Sequence, residues 1–164
     1  MAPLPTTLTE PAAAVAQRLE DRGETLALAE SSGGGLVTAA LIAVPGASAF
    51  HRGGVVIYTL GGAKALLADA RPLDEGVRSA SEPFAVWLAS AVATKLRADW
   101  GFGETGASGP TGNPYGDPAG HSWLAVHGPD GPSTRHVLTG DDDRAANMEA
   151  FAAAGLALLL DRLG

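Results

Sequence analysis

An α/β layer fold with a mixed β-sheet is predicted by two features of this 164-residue chain. Apolar runs of strand length alternate with helical runs, the pattern of parallel strands joined by helical crossovers. Near the C-terminus, two strand-like runs follow each other with only a turn between them, which makes an antiparallel pair and a mixed sheet. With 46% hydrophobic residues, one domain spanning 1–164 is expected, built as a sheet flanked by helices.

Leu8 to Leu19 reads as an amphipathic helix, capped by Thr7 or Thr9, with Pro11 near its first turn and Gly23 at its end. Thr25 to Ala29 is a short apolar strand, and Gly35 to Val44 is a small-residue helix stopped by Pro45-Gly46. Gly54 to Thr59 has buried-strand character and leads through Gly61-Gly62 to a short helix, Ala63 to Ala68. Ser81 to Arg97 forms the next helix, opened by Ser81-Glu82-Pro83. A strand at Trp100 to Glu104 is expected to give way to a long glycine- and proline-rich loop, Thr105 to Gly120. Ser122 to His127 and Ser133 to Leu138 form the hairpin, and Arg144 to Leu163 closes the chain as a helix.

Bulk chemistry excludes several function classes. The net charge is −7 with no basic stripe, so no nucleic-acid partner is expected. No apolar run approaches the roughly 18 residues a membrane span needs, no leader pattern opens the chain, and a cytoplasmic location is the default. There is no cysteine, and His51, His121, His127 and His136 have no ligand spacing, so no metal site is expected. His121 adjoins the long loop. Only Lys64 and Lys95 among the 11 basic residues are lysine; where lysine stands in an arginine-preferring chain, an amine able to lose its proton is the chemistry to look for.

The stretch from Leu26 to Gly35 concentrates the functional signal: an apolar strand breaks into Glu30-Ser31-Ser32-Gly33-Gly34-Gly35 before a helix. Unpaired N–H groups and the helix dipole at such a turn favour an anion or a developing oxyanion. Two serines there either bind phosphate or attack a carbonyl. Glu30 either serves the helix dipole or pairs with Lys64 or a substrate hydroxyl.

Taken together, Glu30-Ser31-Ser32-Gly33-Gly34-Gly35, Val44-Pro45-Gly46-Ala47-Ser48, Gly53-Gly54-Val55-Val56-Ile57-Tyr58, Lys64 and Thr105-Gly106-Ala107-Ser108-Gly109-Pro110 resemble the C-terminal domain of the CinA proteins, in order and near spacing, over residues 8–163. The resemblance implies a nicotinamide-nucleotide amidase, which hydrolyses the carboxamide of nicotinamide mononucleotide to the nicotinate nucleotide and ammonia. It implies Ser31 as nucleophile and Lys64 as general base, with Tyr58 beside them. Glu30, Ser32, Gly33, Gly34, Thr105, Gly106 and Arg144 are the implied substrate-binding set. No cofactor and no metal are implied, the partner is a small nucleotide, and a homo-oligomer, a dimer, is favoured. A desolvated lysine can take a serine proton, and N–H groups from Ser32 onward would hold the oxyanion, a contribution of about 3–4 kcal/mol per good donor.

The chain departs from that family pattern at defined places. Ser32 stands for a cysteine and Gly33 for a threonine. The interval from Tyr58 to Lys64 is one residue longer, which a bulge at Leu60-Gly61-Gly62 would absorb. Asp141-Asp142-Asp143 precedes Arg144, and Asn147 falls where a second arginine is expected, which weakens any hold on phosphate. Two alternatives follow: a nucleotide- or phosphate-binding homologue without turnover, or an amidase of altered specificity.

Overall fold

A computed structural model describes residues 3–164. Helix α1 spans Thr6–Arg22, β1 Leu26–Glu30, α2 Leu36–Ile42, β2 His51–Val56, α3 Leu60–Leu67, α4 Glu82–Leu96, β3 Trp100–Ala107, β4 His121–Gly128, β5 Gly131–Leu138 and α5 Arg144–Leu163. The five strands form one sheet in the order β2-β1-β3-β4-β5. β1 runs parallel to both β2 and β3, while β4 is antiparallel to β3 and to β5. The predicted mixed-sheet fold is therefore what the chain adopts.

Strand β1 shows how the two faces are built. Its alternating side chains send Leu26 and Leu28 toward α1, α2 and α5, and Ala27 and Ala29 toward α3 and α4. Large residues fill the first face, with Phe102, Leu124, Leu156 and Leu159 fully buried. On the second face α4 lies close against β3: a Cβ built on Gly101 would lie 1.9 Å from Ala89 O, and one on Gly103 2.2 Å from Ala85 O. Small residues therefore set the helix-to-sheet distance there.

Several boundaries differ from expectation. Helix α1 begins at Thr6 behind Pro5, with no side-chain cap, and Pro11 lies inside it; the buried stripe Leu8, Ala12, Val15, Ala16 and Leu19 outweighs the lost backbone bond. The Thr7 hydroxyl instead donates to Glu149 of α5. Strand β2 ends at Val56, so Tyr58 leaves the sheet and is 64% exposed. Helix α3 starts early, at Leu60, because the Thr59 hydroxyl accepts the Gly62 N–H at 3.0 Å; Leu60-Gly61-Gly62 is the first turn of this helix and not a bulge. Strand β3 continues to Ala107, since pairing with His121, Ser122 and Trp123 of β4 supplies the ladder.

Candidate active site

The carboxyl ends of the three parallel strands converge on one cavity of about 380 Å³. In open α/β sheets, ligand sites form at these strand ends, beside the point where the strand order reverses. Here the turn after β1 contributes Ser31 and Ser32, the segment after β2 contributes Tyr58 and Thr59, and β3 contributes Thr105 to Ala107. Segments around Ser79 and Tyr115 complete the wall with Phe84 and Arg144.

The turn after β1 is held from behind by two buried carboxylates. Glu30 accepts the Val37 N–H at 3.1 Å, the Thr38 N–H at 2.8 Å and the Thr38 hydroxyl at 2.6 Å. Its partner is thus the start of α2, not Lys64. Burial, partly offset by those hydrogen bonds, pushes the Glu30 carboxyl above the usual carboxylate range, and the charge of Glu104 adds to the rise. Glu104 accepts the Ser31 N–H at 2.9 Å and the Gly33 N–H at 2.7 Å, and the Ser32 hydroxyl donates to its other oxygen. The N–H groups that looked available to an external anion are therefore largely taken by the protein's own acids. Among the described residues, the Ser31 hydroxyl and the Ser32 N–H have no partner.

Arg144 is the one charged side chain among the described residues that line the cavity. Its guanidinium donates to the Gly109 carbonyl at 2.5 Å and to the Tyr58 hydroxyl. Of its five N–H donors, three remain for a ligand. Asn147 is 1% exposed and fully committed: its amide donates to the Ser108 and Asp141 carbonyls and accepts the Thr139 hydroxyl. It holds the loops around Arg144 in place of binding phosphate.

The wall opposite is stapled by Arg78. It pairs with both oxygens of Asp117, at 2.6 and 3.2 Å, and its guanidinium lies over the Tyr115 ring at 4.9 Å. That pairing holds the Asp117 carboxyl below its usual range. His121 Nε2 lies 2.9 Å from the Ala80 carbonyl, which makes it the protonated nitrogen.

The structure thus brings Ser31, Ser32, Tyr58, Thr105, Gly106 and Arg144 to one cavity. Thr105 uses its hydroxyl to accept the Ala80 N–H at 3.0 Å. Glu30, Gly33 and Gly34 lie outside the lining, the first two buried. Lys64 is also outside it, exposed on α3, and its side chain has no hydrogen bond or ion pair among the described residues. Sequence reasoning overlooked Glu104, although an acid ending Gly101-Phe102-Gly103-Glu104, within an apolar strand, was a usable sign of a buried group in need of donors. It also overlooked Arg78 and Tyr115, whose roles depend on loops packing together.

Among the described residues, no helix is long and apolar enough to cross a membrane, and no cluster of metal-ligating side chains occurs.

Comparison with known proteins gives a consistent result. Residues 8–163 match the family model described as the CinA C-terminal domain. A CinA-like protein of Anaeromyxobacter sp. (strain Fw109-5) is 41% identical over 145 residues, covering 88% of this chain and 35% of that protein. The chain therefore spans about a third of the length of that relative. The crystal structure of a competence or damage-inducible protein from Enterobacter asburiae superposes with a TM-score of 0.89 at 27% identity, covering 98% of this chain and 100% of that one. That of a competence/damage-inducible protein from Agrobacterium tumefaciens gives 0.88 at 26% identity, covering 98% of both chains. With the fold and the matched span in agreement, the chain belongs to the CinA C-terminal domain family.

Proposed function

We propose that the cavity hydrolyses the carboxamide of nicotinamide mononucleotide, with Ser31 as the attacking group. The observation that carries this reading is the free Ser31 hydroxyl beside the unspent Ser32 N–H in a cavity whose lining charge is Arg144. Ser31 Oγ bonds to the carboxamide carbon while its proton passes to the neutral form of the Lys64 amine, which in this scheme reaches in from outside the cavity lining. The carbonyl oxygen becomes an oxyanion that accepts the Ser32 N–H. Collapse breaks the C–N bond, the Lys64 ammonium returns the proton to the departing nitrogen, and ammonia leaves. Water then cleaves the Ser31 ester to give the nicotinate nucleotide.

The helix geometry of α3 supports a place for Lys64 in this scheme. Lys64 stands four residues after Leu60, which lines the cavity, so the two share a helix face. Side chains on a helix lean toward its N-terminus, the direction of Leu60 from Lys64. The test is ammonia release from nicotinamide mononucleotide by the purified protein. Release abolished in Ser31→Ala supports the reading, and no release above that control overturns it.

A second reading, a nucleotide-binding domain without turnover, is favoured by one observation: no acid or amine lines the cavity among the described residues. Thermal stabilisation by the nucleotide with no ammonia formed would identify it.

A further inference from the structure

The Glu104 carboxylate stands behind the Ser31 turn with its hydrogen-bonding capacity filled. One oxygen accepts the Ser31 and Gly33 N–H groups at 2.9 and 2.7 Å; the other accepts the Ser32 hydroxyl and, at 2.9 Å, the Ser122 hydroxyl. An ionised carboxylate has about four acceptor sites, so none is left for the Ser31 hydroxyl. Glu104 is 1% exposed and does not line the cavity, so it reaches a ligand only through the turn it grips. The turn is shaped to receive it: a Cβ on Gly33 would lie 3.2 Å from Glu104 Oε2.

We infer that Glu104 is a positioning residue that selects which of two adjacent serines can react. This rests on the reading of Ser31 as the attacking group. Ser32 has its hydroxyl tied to Glu104, whereas the Ser31 hydroxyl is free. Of three successive N–H groups, the outer two are consumed and only that of Ser32 remains for an oxyanion. The donor left over is the N–H directly after the attacking serine, the arrangement that serves nucleophiles on strand-to-helix turns. Geometry rather than charge does this work. A glutamine fits the same four partners: its carbonyl accepts the two N–H groups, and its amide donates to the two hydroxyls, which rotate to accept.

The inference is tested by amide hydrogen exchange, followed by NMR, in the wild type, Glu104→Gln and Glu104→Ala. In the wild type, Ser31 and Gly33 should exchange about tenfold or more slowly relative to Ser32. Glu104→Gln should keep that contrast and Glu104→Ala should erase it, with β4 amides still slow. Equal protection of Ser32 and Ser31 in the wild type overturns the inference, as does a Gln variant that behaves like Ala. Should Glu104→Ala fail to fold, the wild-type and Gln comparisons still decide. A fluorophosphonate probe, with the labelled serine located by peptide mass spectrometry, supplies a second arm. Labelling is expected at Ser31 alone in the wild type and Glu104→Gln, and at both serines in Glu104→Ala. Wild-type labelling at Ser32 overturns the inference. Labelling at neither serine overturns the Ser31 reading alone, since the exchange contrast does not depend on it.

Discussion

Arg144, the first residue of α5, donates to the hydroxyl of Tyr58, which follows β2, so two residues distant in sequence meet where both line the cavity. The phenol orients the guanidinium, and the Gly109 carbonyl takes a second N–H. A phosphate bound there gains charge-assisted hydrogen bonds, each worth about 1.5–3 kcal/mol. Arg144→Ala should therefore weaken binding of nicotinamide mononucleotide by about 10- to 100-fold, measured by calorimetry. The corresponding nucleoside, without phosphate, should bind both proteins alike. Tyr58→Phe should cost less than about threefold, because Gly109 still holds the arginine. An equal loss for the nucleoside would place the phosphate elsewhere.

The close approach of α4 to β3 predicts opposite outcomes at two glycines. Gly103→Ala would put a methyl group 2.2 Å from the Ala85 carbonyl, inside the helix backbone. Such overpacking displaces the helix, and a loss of about 3 kcal/mol or more is expected in urea unfolding. Gly61 lies in the first turn of α3 with nothing within 4 Å of a built Cβ. Gly61→Ala should stabilise by about 0.5–1 kcal/mol through helix propensity and a less flexible unfolded chain. A Gly103→Ala variant as stable as the wild type would contradict the packing.

Much of this architecture was legible in local pattern, because strand and helix periods and Gly-Pro punctuation are local properties. Leu26 to Ala29 and Arg144 to Leu163 are examples. The end of β3 was not: Thr105-Gly106-Ala107 has loop composition, and only its pairing with β4 makes it strand. A similar limit applied to the site. Ser31, Tyr58 and Arg144 could be named because they match motif positions of the family the chain resembles, while Glu104 acts on Ser31 across 73 positions of sequence. The glycine turn read as an open anion site since sequence does not reveal that buried acids already occupy its donors.

Lys64 separates stability from chemistry. Its side chain is exposed and unpaired among the described residues, so Lys64→Ala and Lys64→Arg should change unfolding free energy by less than about 0.5 kcal/mol. In the proposed role of proton acceptor for Ser31, its removal should lower ammonia release by about 100-fold or more. Arginine should not rescue, because a guanidinium does not give up its proton. Release by Lys64→Arg at the wild-type rate would remove Lys64 from the mechanism and leave Ser31 to another base.

Glu30 makes stability depend on pH in a direction opposite to that of Glu24, Asp99 and Asp117. Burial raises its carboxyl above the ordinary value of 4.5, so just above that pH the folded state binds more protons than the unfolded state. Its contribution is complete below 4.5 and is lost as pH rises through the folded value. Glu24, Asp99 and Asp117 are shifted down, chiefly by hydrogen bonds from Arg22, Thr25 and Arg78 respectively, and act in reverse, losing stability as pH falls. Subtracting the unfolding free energy of Glu30→Gln from that of the wild type at each pH cancels those acids. The difference should be most favourable to the wild type on the acid side and decline as pH rises above 4.5. A flat or rising difference would mean that the three hydrogen bonds from Val37 and Thr38 outweigh burial.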